Sequence, residues 1–152
     1  MNSQVRILFI AIVVFIGGCG TSNTNGDQSI NESEMQVSDA NPNGDSELAL
    51  LMRQLFVDGE TIKKKIQMDE GTITEDYIEL IEKCHTAIPT DPDVKTSQFT
   101  SFNTILLNEA RFLLDNPDDN KENFNQVVNK CMQCHEVFCP GPMKRIKKLY
   151  IY

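Results

Sequence analysis

The chain has 152 residues, with 14 Lys and Arg against 22 Asp and Glu, a formal net charge of −8, five cysteines and no tryptophan. That length fits one modest hydrophobic core rather than several. The acidic balance removes the electrostatic footprint of a nucleic-acid binder, so no nucleic-acid partner is expected.

Residues 1–18 read as an export signal: Arg6 supplies a thin positive start, Ile7 to Ile16 is an apolar run, and Gly17 and Gly18 are small. The run falls short of the about twenty apolar residues that a stable membrane-spanning helix needs. Ile16-Gly17-Gly18-Cys19 then resembles the lipobox of bacterial lipoproteins. The resemblance implies acylation of Cys19 and a protein exported and lipid-anchored to a bacterial cell membrane, facing the periplasm or the cell surface. The alternative is ordinary signal cleavage near Gly18 with Cys19 left as a thiol, which an oxidising compartment disfavours. Residues 19–45 are rich in Asn, Ser, Thr, Gly, Asp and Glu, too polar to offset the entropy of ordering, and read as a disordered tether. A flexible chain of that length holds the helical region roughly 25–30 Å from its anchor.

Residues 46–143 carry four helical segments and no strand run. The first, over about 46–66, has Asp45 and Ser46 as capping candidates and an apolar stripe of Leu48, Met52, Leu55, Gly59, Ile62 and Ile66. Gly59 on that stripe admits close approach by a neighbour. The second begins at a Thr72-x-x-Glu75 capping box and presents Ile73, Tyr77, Ile81, Cys84 and Ile88, after which Pro89 and Pro92 impose a loop. The third, over roughly 98–115, presents Phe99, Phe102, Leu106, Ala110 and Leu113 and stops at Asn116-Pro117. Asp118 and Asp119 start the fourth, which lines up Phe124, Val127, Val128, Cys131, Cys134 and Phe138 before Pro140-Gly141-Pro142 ends it.

On this last helix stands Cys131-Met132-Gln133-Cys134-His135, the C-x-x-C-H spacing of covalent haem c attachment. Two thiols add across the haem vinyl groups, and the adjoining imidazole ligates iron from one face. A helix projects Cys131, Cys134 and His135 to one side within about a turn. The competing readings are a pair of core cysteines beside an incidental histidine, or a zinc half-site that lacks a second Cys or His pair. With Cys19 assigned to lipid and Cys131 and Cys134 to haem, Cys84 and Cys139 remain, and in an exported protein they are a candidate disulfide. The bridge would close a loop of about 55 residues and contribute about 2–4 kcal/mol.

Amphipathic helices of this length with mostly short connections bury their stripes as an all-α, four-helix up-down-up-down bundle. The haem site near the end of the last helix and Met52 near the start of the first then fall at one end of the bundle, roughly 5 and 9 Å from their helix termini. Taken with Leu51-Met52-x-x-x-Phe56 in the first helix, this arrangement resembles the cytochrome c′ family over residues 46–139. The resemblance implies Cys131 and Cys134 as thioether cysteines, His135 as the proximal iron ligand and Met52 as the candidate distal ligand. The family usually carries Arg or Lys four residues beyond the haem histidine; here that residue is Cys139.

The expectation is therefore a monohaem c-type cytochrome that carries electrons between respiratory redox proteins and is held to the membrane by its lipid. The alternative is a five-coordinate haem protein that binds nitric oxide or carbon monoxide for sensing or detoxification, with Leu48, Met52 and Leu55 lining an apolar distal side. His85 is a weaker candidate for the sixth position. No catalytic triad, acid/base pair or phosphate loop suggests an enzyme. A homodimer through the outer faces of the first two helices fits the resemblance. Residues 144–152 form a basic tail, with Lys144, Arg145, Lys147 and Lys148 among Ile146, Leu149 and Tyr150. Such a tail either docks on an anionic surface or packs its apolar side on the bundle.

Overall fold

The computed structural model describes residues 44–152; the expected signal at 1–18, Cys19 and nearly all of the 19–45 tether lie outside the described residues. Within this range the chain is all-helical, without strands: α1 Glu47–Gln67, α2 Glu75–Lys83, α3 Ser97–Asp115, α4 Asn120–Phe138 and α5 Met143–Ile146, with short 3-10 turns at Pro92–Val94, Pro117–Asp119 and Lys147–Leu149. No described helix is long and apolar enough to cross a membrane.

Helix α1 starts where its chemistry directs: Ser46 is the N-cap, and its hydroxyl accepts from the Ala49 amide at 3.2 Å. Leu48, Leu55, Phe56, Gly59, Ile62 and Ile66 are buried on one side of it, and Met52 is half-buried against them. Its first turn is completed by the loop after α2. The Leu48 amide donates to the Ile88 carbonyl at 3.0 Å, and the Ile88 amide donates to Glu47 Oε2 at 3.0 Å.

The start of α2 departs from the capping box. Thr74 is the N-cap, extended at φ −121° and ψ 162°, and the helix begins at Glu75. Thr72 Oγ1 is buried with no hydrogen-bond partner. Burial of Ile73, 2 % exposed, draws Thr72 inward, away from the orphan amides a cap would serve. The helix also ends at Lys83, short of Ile88. His85 and Thr86 bond three residues back, to Glu82 and Lys83, so the helical phase is lost and Ile88 emerges 70 % exposed. Lys95 then closes this end, its ammonium donating to the carbonyls of Cys84 at 2.9 Å and His85 at 2.7 Å.

Helix α3 is capped by Thr96, whose hydroxyl accepts from the Phe99 amide at 3.2 Å. It buries Phe99, Leu106, Ala110 and Leu113, while Phe102 is half-buried. The apolar pattern gives no sign of the buried Asn103; its Nδ2 donates to the Ile81 carbonyl at 3.1 Å and ties α3 to α2. Helix α2 packs on α1 and α3, α3 packs on α4, and α4 packs on α1. The α3 and α4 axes run antiparallel: Phe99 and Phe102 meet Phe138 at one end, and Asn123 bonds the Asn116 carbonyl at the other.

The basic tail at 144–152 belongs to the folded body. Pro140-Gly141-Pro142 reverses the chain, and Ile146, Leu149 and Ile151 are buried between α1 and α4. Leu149 fills the space beside Gly59, where a Cβ would lie 3.3 Å from Leu149 Cδ1 and 3.5 Å from Tyr77 Oη. Asn125 pairs with Ile151 through both its amide nitrogen, at 2.8 Å, and its oxygen, at 2.9 Å. Tyr150 donates its hydroxyl to Asn129 Oδ1 at 2.6 Å.

Candidate functional site

Cys131, Cys134 and His135 lie on one arc of α4, about 100° wide from the helical advance per residue, and all three are half-buried. Cys131 packs against the hydrophobic core. Burial pushes its thiol up to about 12, with smaller contributions from Cys134 and Cys84. Burial likewise raises Cys134 to about 11. Both are therefore neutral thiols at physiological pH.

The imidazole of His135 is positioned by the end of its own helix. Pro140 disfavours helical backbone at the preceding residue, so α4 ends at Phe138 and Cys139 takes φ −158° and ψ 79°. The Cys139 amide still donates to the His135 carbonyl at 3.0 Å, while the Cys139 carbonyl turns back to His135 Nδ1 at 3.0 Å. A carbonyl only accepts, so Nδ1 carries the proton, and the neutral ring keeps its lone pair on Nε2. Burial lowers the His135 pKa, and the bond to Cys139 partly opposes it. A histidine that donates Nδ1–H to a backbone carbonyl and presents Nε2 is oriented as a metal ligand. Sequence reasoning missed this orienting contact; the signal was the proline five residues after the histidine.

Aromatic and thiol groups close the surroundings. Phe138 meets Phe99 edge to face at a centroid distance of 5.8 Å and Phe102 at 6.0 Å. Tyr77, buried on α2, is raised well above its ordinary value, first by desolvation and then by Cys131. Cys84 is 2 % exposed, donates its thiol to the Leu80 carbonyl at 3.3 Å, and is pushed up to about 12 by burial, with Lys95 opposing and Cys134 adding. The structure contains no Cys84–Cys139 disulfide. Cys84 faces the core, with Cys131 and Cys134 as its electrostatic neighbours. Met52 stands on the core side of α1, half-buried, and His85 is half-buried in the turn after α2.

Two surface clefts lie elsewhere. One of about 770 Å³ is lined by Ile66, Asp69, Asp118, Asn120, Glu122 and Tyr152, at the opposite end of α4 from the motif. The other, of about 400 Å³, lies between α3 and α4 beside Ile105, Phe112 and Lys130. Neither is lined by Cys131, Cys134 or His135. Comparison of the chain with protein-family models, with curated proteins and with solved structures gives no match in any of the three.

Proposed function

We propose that this chain is a monohaem c-type cytochrome, an electron carrier anchored to a bacterial cell membrane by lipid on Cys19. In this reading α1 to α4 form an up-down-up-down bundle of the cytochrome c′ kind. The ring of neighbours, with each helix packed on the next and α4 returning to α1, supports that topology. The observation that carries the functional reading is the His135 ring, held at Nδ1 by the Cys139 carbonyl beside two unbridged thiols on the same arc.

The residues fit the group. Cys131 and Cys134 would hold haem through thioethers, and His135 Nε2 would ligate its iron. Bound haem supplies a reversible one-electron couple. The chain's own contribution is orientation and exclusion of water. Cys139 fixes the tautomer and direction of the imidazole, and Phe99, Phe138 and Tyr77 present apolar or buried surface that keeps the neighbourhood at low dielectric. Met52 is the proposed distal ligand, and respiratory redox proteins are the proposed partners.

The test is maturation in a host equipped for cytochrome c assembly. The expected product retains haem on a denaturing gel, stains for haem peroxidase activity and gains the mass of one haem, and Cys131→Ala or Cys134→Ala disrupts the attachment. A polypeptide that weighs only its amino acids plus lipid overturns the reading. The ferrous spectrum then separates carrier from gas binder: sharp low-spin bands indifferent to carbon monoxide support electron transfer, and a Soret band that shifts under the gas transfers the assignment to ligand binding. Met52→Leu is expected to convert the first spectrum into the second.

A further inference from the structure

The fold brings together two basic runs that stand about eighty residues apart in the sequence. Lys63, on the side of α1 that faces the tail, donates its ammonium to the Lys148 carbonyl at 2.7 Å and the Tyr150 carbonyl at 2.6 Å. Its neighbour Lys64 is exposed on the same helix, and Lys144, Arg145, Lys147 and Lys148 are exposed along α5 and the 3-10 turn after it. Among the described residues the ion pairs use Arg53, Lys83, Arg111 and Lys130, and none uses a cation of this group. Acids predominate in the chain as a whole, and Asp69, Asp118, Asp119 and Glu122 line a cleft bordered by the tail's own Ile151 and Tyr152. The tail and the side of α1 that carries Lys63 thus form a basic patch on an acidic protein.

Two features make this side more than a solvated tail. The backbone that bears the cations is pinned: Asn125 holds Ile151 at both ends of its amide, Tyr150 bonds Asn129, and Lys63 closes the last carbonyls of the turn. Arg145 is held over the Phe56 ring at 4.4 Å. A fixed array loses less entropy on binding than a mobile one. Ile146, Leu149 and Ile151 are also already used, buried against the body. The exposed Tyr152 is a single ring, short of the continuous apolar face that an interfacial helix lays among lipid tails.

We propose that the surface formed by Lys63, Lys64, Lys144, Arg145, Lys147 and Lys148 is a docking face for a protein with an acidic surface. Net negative charge does not prevent this. At physiological salt the screening length is about 8 Å, so a partner in contact with the patch senses the cations it touches more than acids beyond that distance. Neither observation involves haem, and the binding test reads equally in protein with or without it.

The experiment uses isotope-labelled, exported protein carrying Cys19→Ser, with polyglutamate as the acidic probe. Amide shifts are expected at Lys144–Tyr150 and at Lys63–Lys64, with affinity that falls steeply between low and physiological salt. The pair Lys147→Glu and Lys148→Glu should weaken binding about tenfold. Lys83→Glu with Arg111→Glu, the same charge change placed on α2 and α3, should leave it within about twofold. Far-UV circular dichroism confirms that each variant is folded. Shifts absent or confined to other helices overturn the proposal. So does association with phosphatidylserine vesicles that exceeds polyglutamate binding and is lost in the Lys147→Glu, Lys148→Glu variant, since it would make a membrane the occupant.

Discussion

The two halves of α4 carry one apolar stripe into two environments. Phe124, Val127 and Val128 are each 1 % exposed, whereas Cys131, Cys134, His135 and Phe138 are half-buried. The first half is closed from several sides, by α3, by α1 and by the tail that returns through Ile151 and Tyr150 to Asn125 and Asn129. The second half lies where Pro140-Gly141-Pro142 turns the chain away. Periodicity alone does not distinguish packing from chemistry. The half that neighbours leave partly open is the one whose stripe consists of thiols and an imidazole, and that coincidence supports reading it as a place for a cofactor edge.

The largest expected difference between the halves is in stability. Phe124→Ala should cost about 3–5 kcal/mol, because its fully buried ring leaves a cavity that the surrounding helices relax into only partly. Cys134→Ala in haem-free protein should cost about 1 kcal/mol or less, since a half-buried sulfur removes little apolar area from water. Urea denaturation of both variants checks this. Equal losses would mean that the motif half is ordinary core.

Next in size is the response to alkali, which separates the haem-free and haem-loaded proteins. Burial raises Cys84 and Cys131 to about 12 and Cys134 to about 11. An unfolded thiol releases its proton near pH 8.5, so above that pH the unfolded chain binds fewer protons than the folded one, and stability falls as pH rises toward the folded values. Below pH 8.5 these groups cost nothing. Thioether formation removes Cys131 and Cys134 from the titration and leaves Cys84. Urea midpoints between pH 8 and 10.5 should therefore fall less steeply with haem attached, and less steeply again in haem-loaded Cys84→Ala. The same slope with and without haem would contradict covalent use of the two motif thiols.

A smaller effect of opposite sign is expected at Thr72. Its buried hydroxyl lacks a partner, so Thr72→Val, which replaces it with an apolar group of similar shape, should stabilise the chain by about 1 kcal/mol. A helix cap at that residue would instead lose about 1 kcal/mol. The sign of the change in thermal midpoint decides where α2 begins.

Much of the fold was legible where local chemistry and tertiary packing agree. Ser46 both caps α1 and precedes its apolar stripe, and Pro117, which lacks a backbone donor and disfavours helical backbone at Asn116, ends α3. Legibility failed where a contact distant in sequence outweighed a local preference. Thr72-x-x-Glu75 has the letters of a capping box, but Ile73 is drawn into the core and takes Thr72 with it. Ile88 extends the α2 stripe by spacing, yet its backbone is used to complete the first turn of α1. Within the candidate site, residue types and spacing identified Cys131, Cys134 and His135. The carbonyl that orients His135 has no letter of its own and was signalled only indirectly, by Pro140, which takes Cys139 out of the helix.

The smallest expected change tests how the closed half is held. Gly59 sits in the middle of α1, where glycine costs about 1 kcal/mol of helix propensity relative to alanine. A Cβ there would meet a terminal methyl of Leu149 at 3.3 Å, and that methyl can retreat by a few tenths of an ångström. The gain and the strain are similar in size, so Gly59→Ala should lie within about 1 kcal/mol of the parent protein. Gly59→Val adds branches that cannot fit without moving Leu149, and should cost about 1–3 kcal/mol. Because Leu149 is what anchors the tail at this point, the loss should also appear as faster hydrogen exchange at Tyr150 and Ile151. In the double variant with Leu149→Ala the two costs should sum to less than their separate values. Full additivity would show that the tail does not depend on the space beside Gly59, and its hold on the first half of α4 would then rest on its other contacts, the Asn125 and Asn129 hydrogen bonds and the buried Ile146 and Ile151 among them.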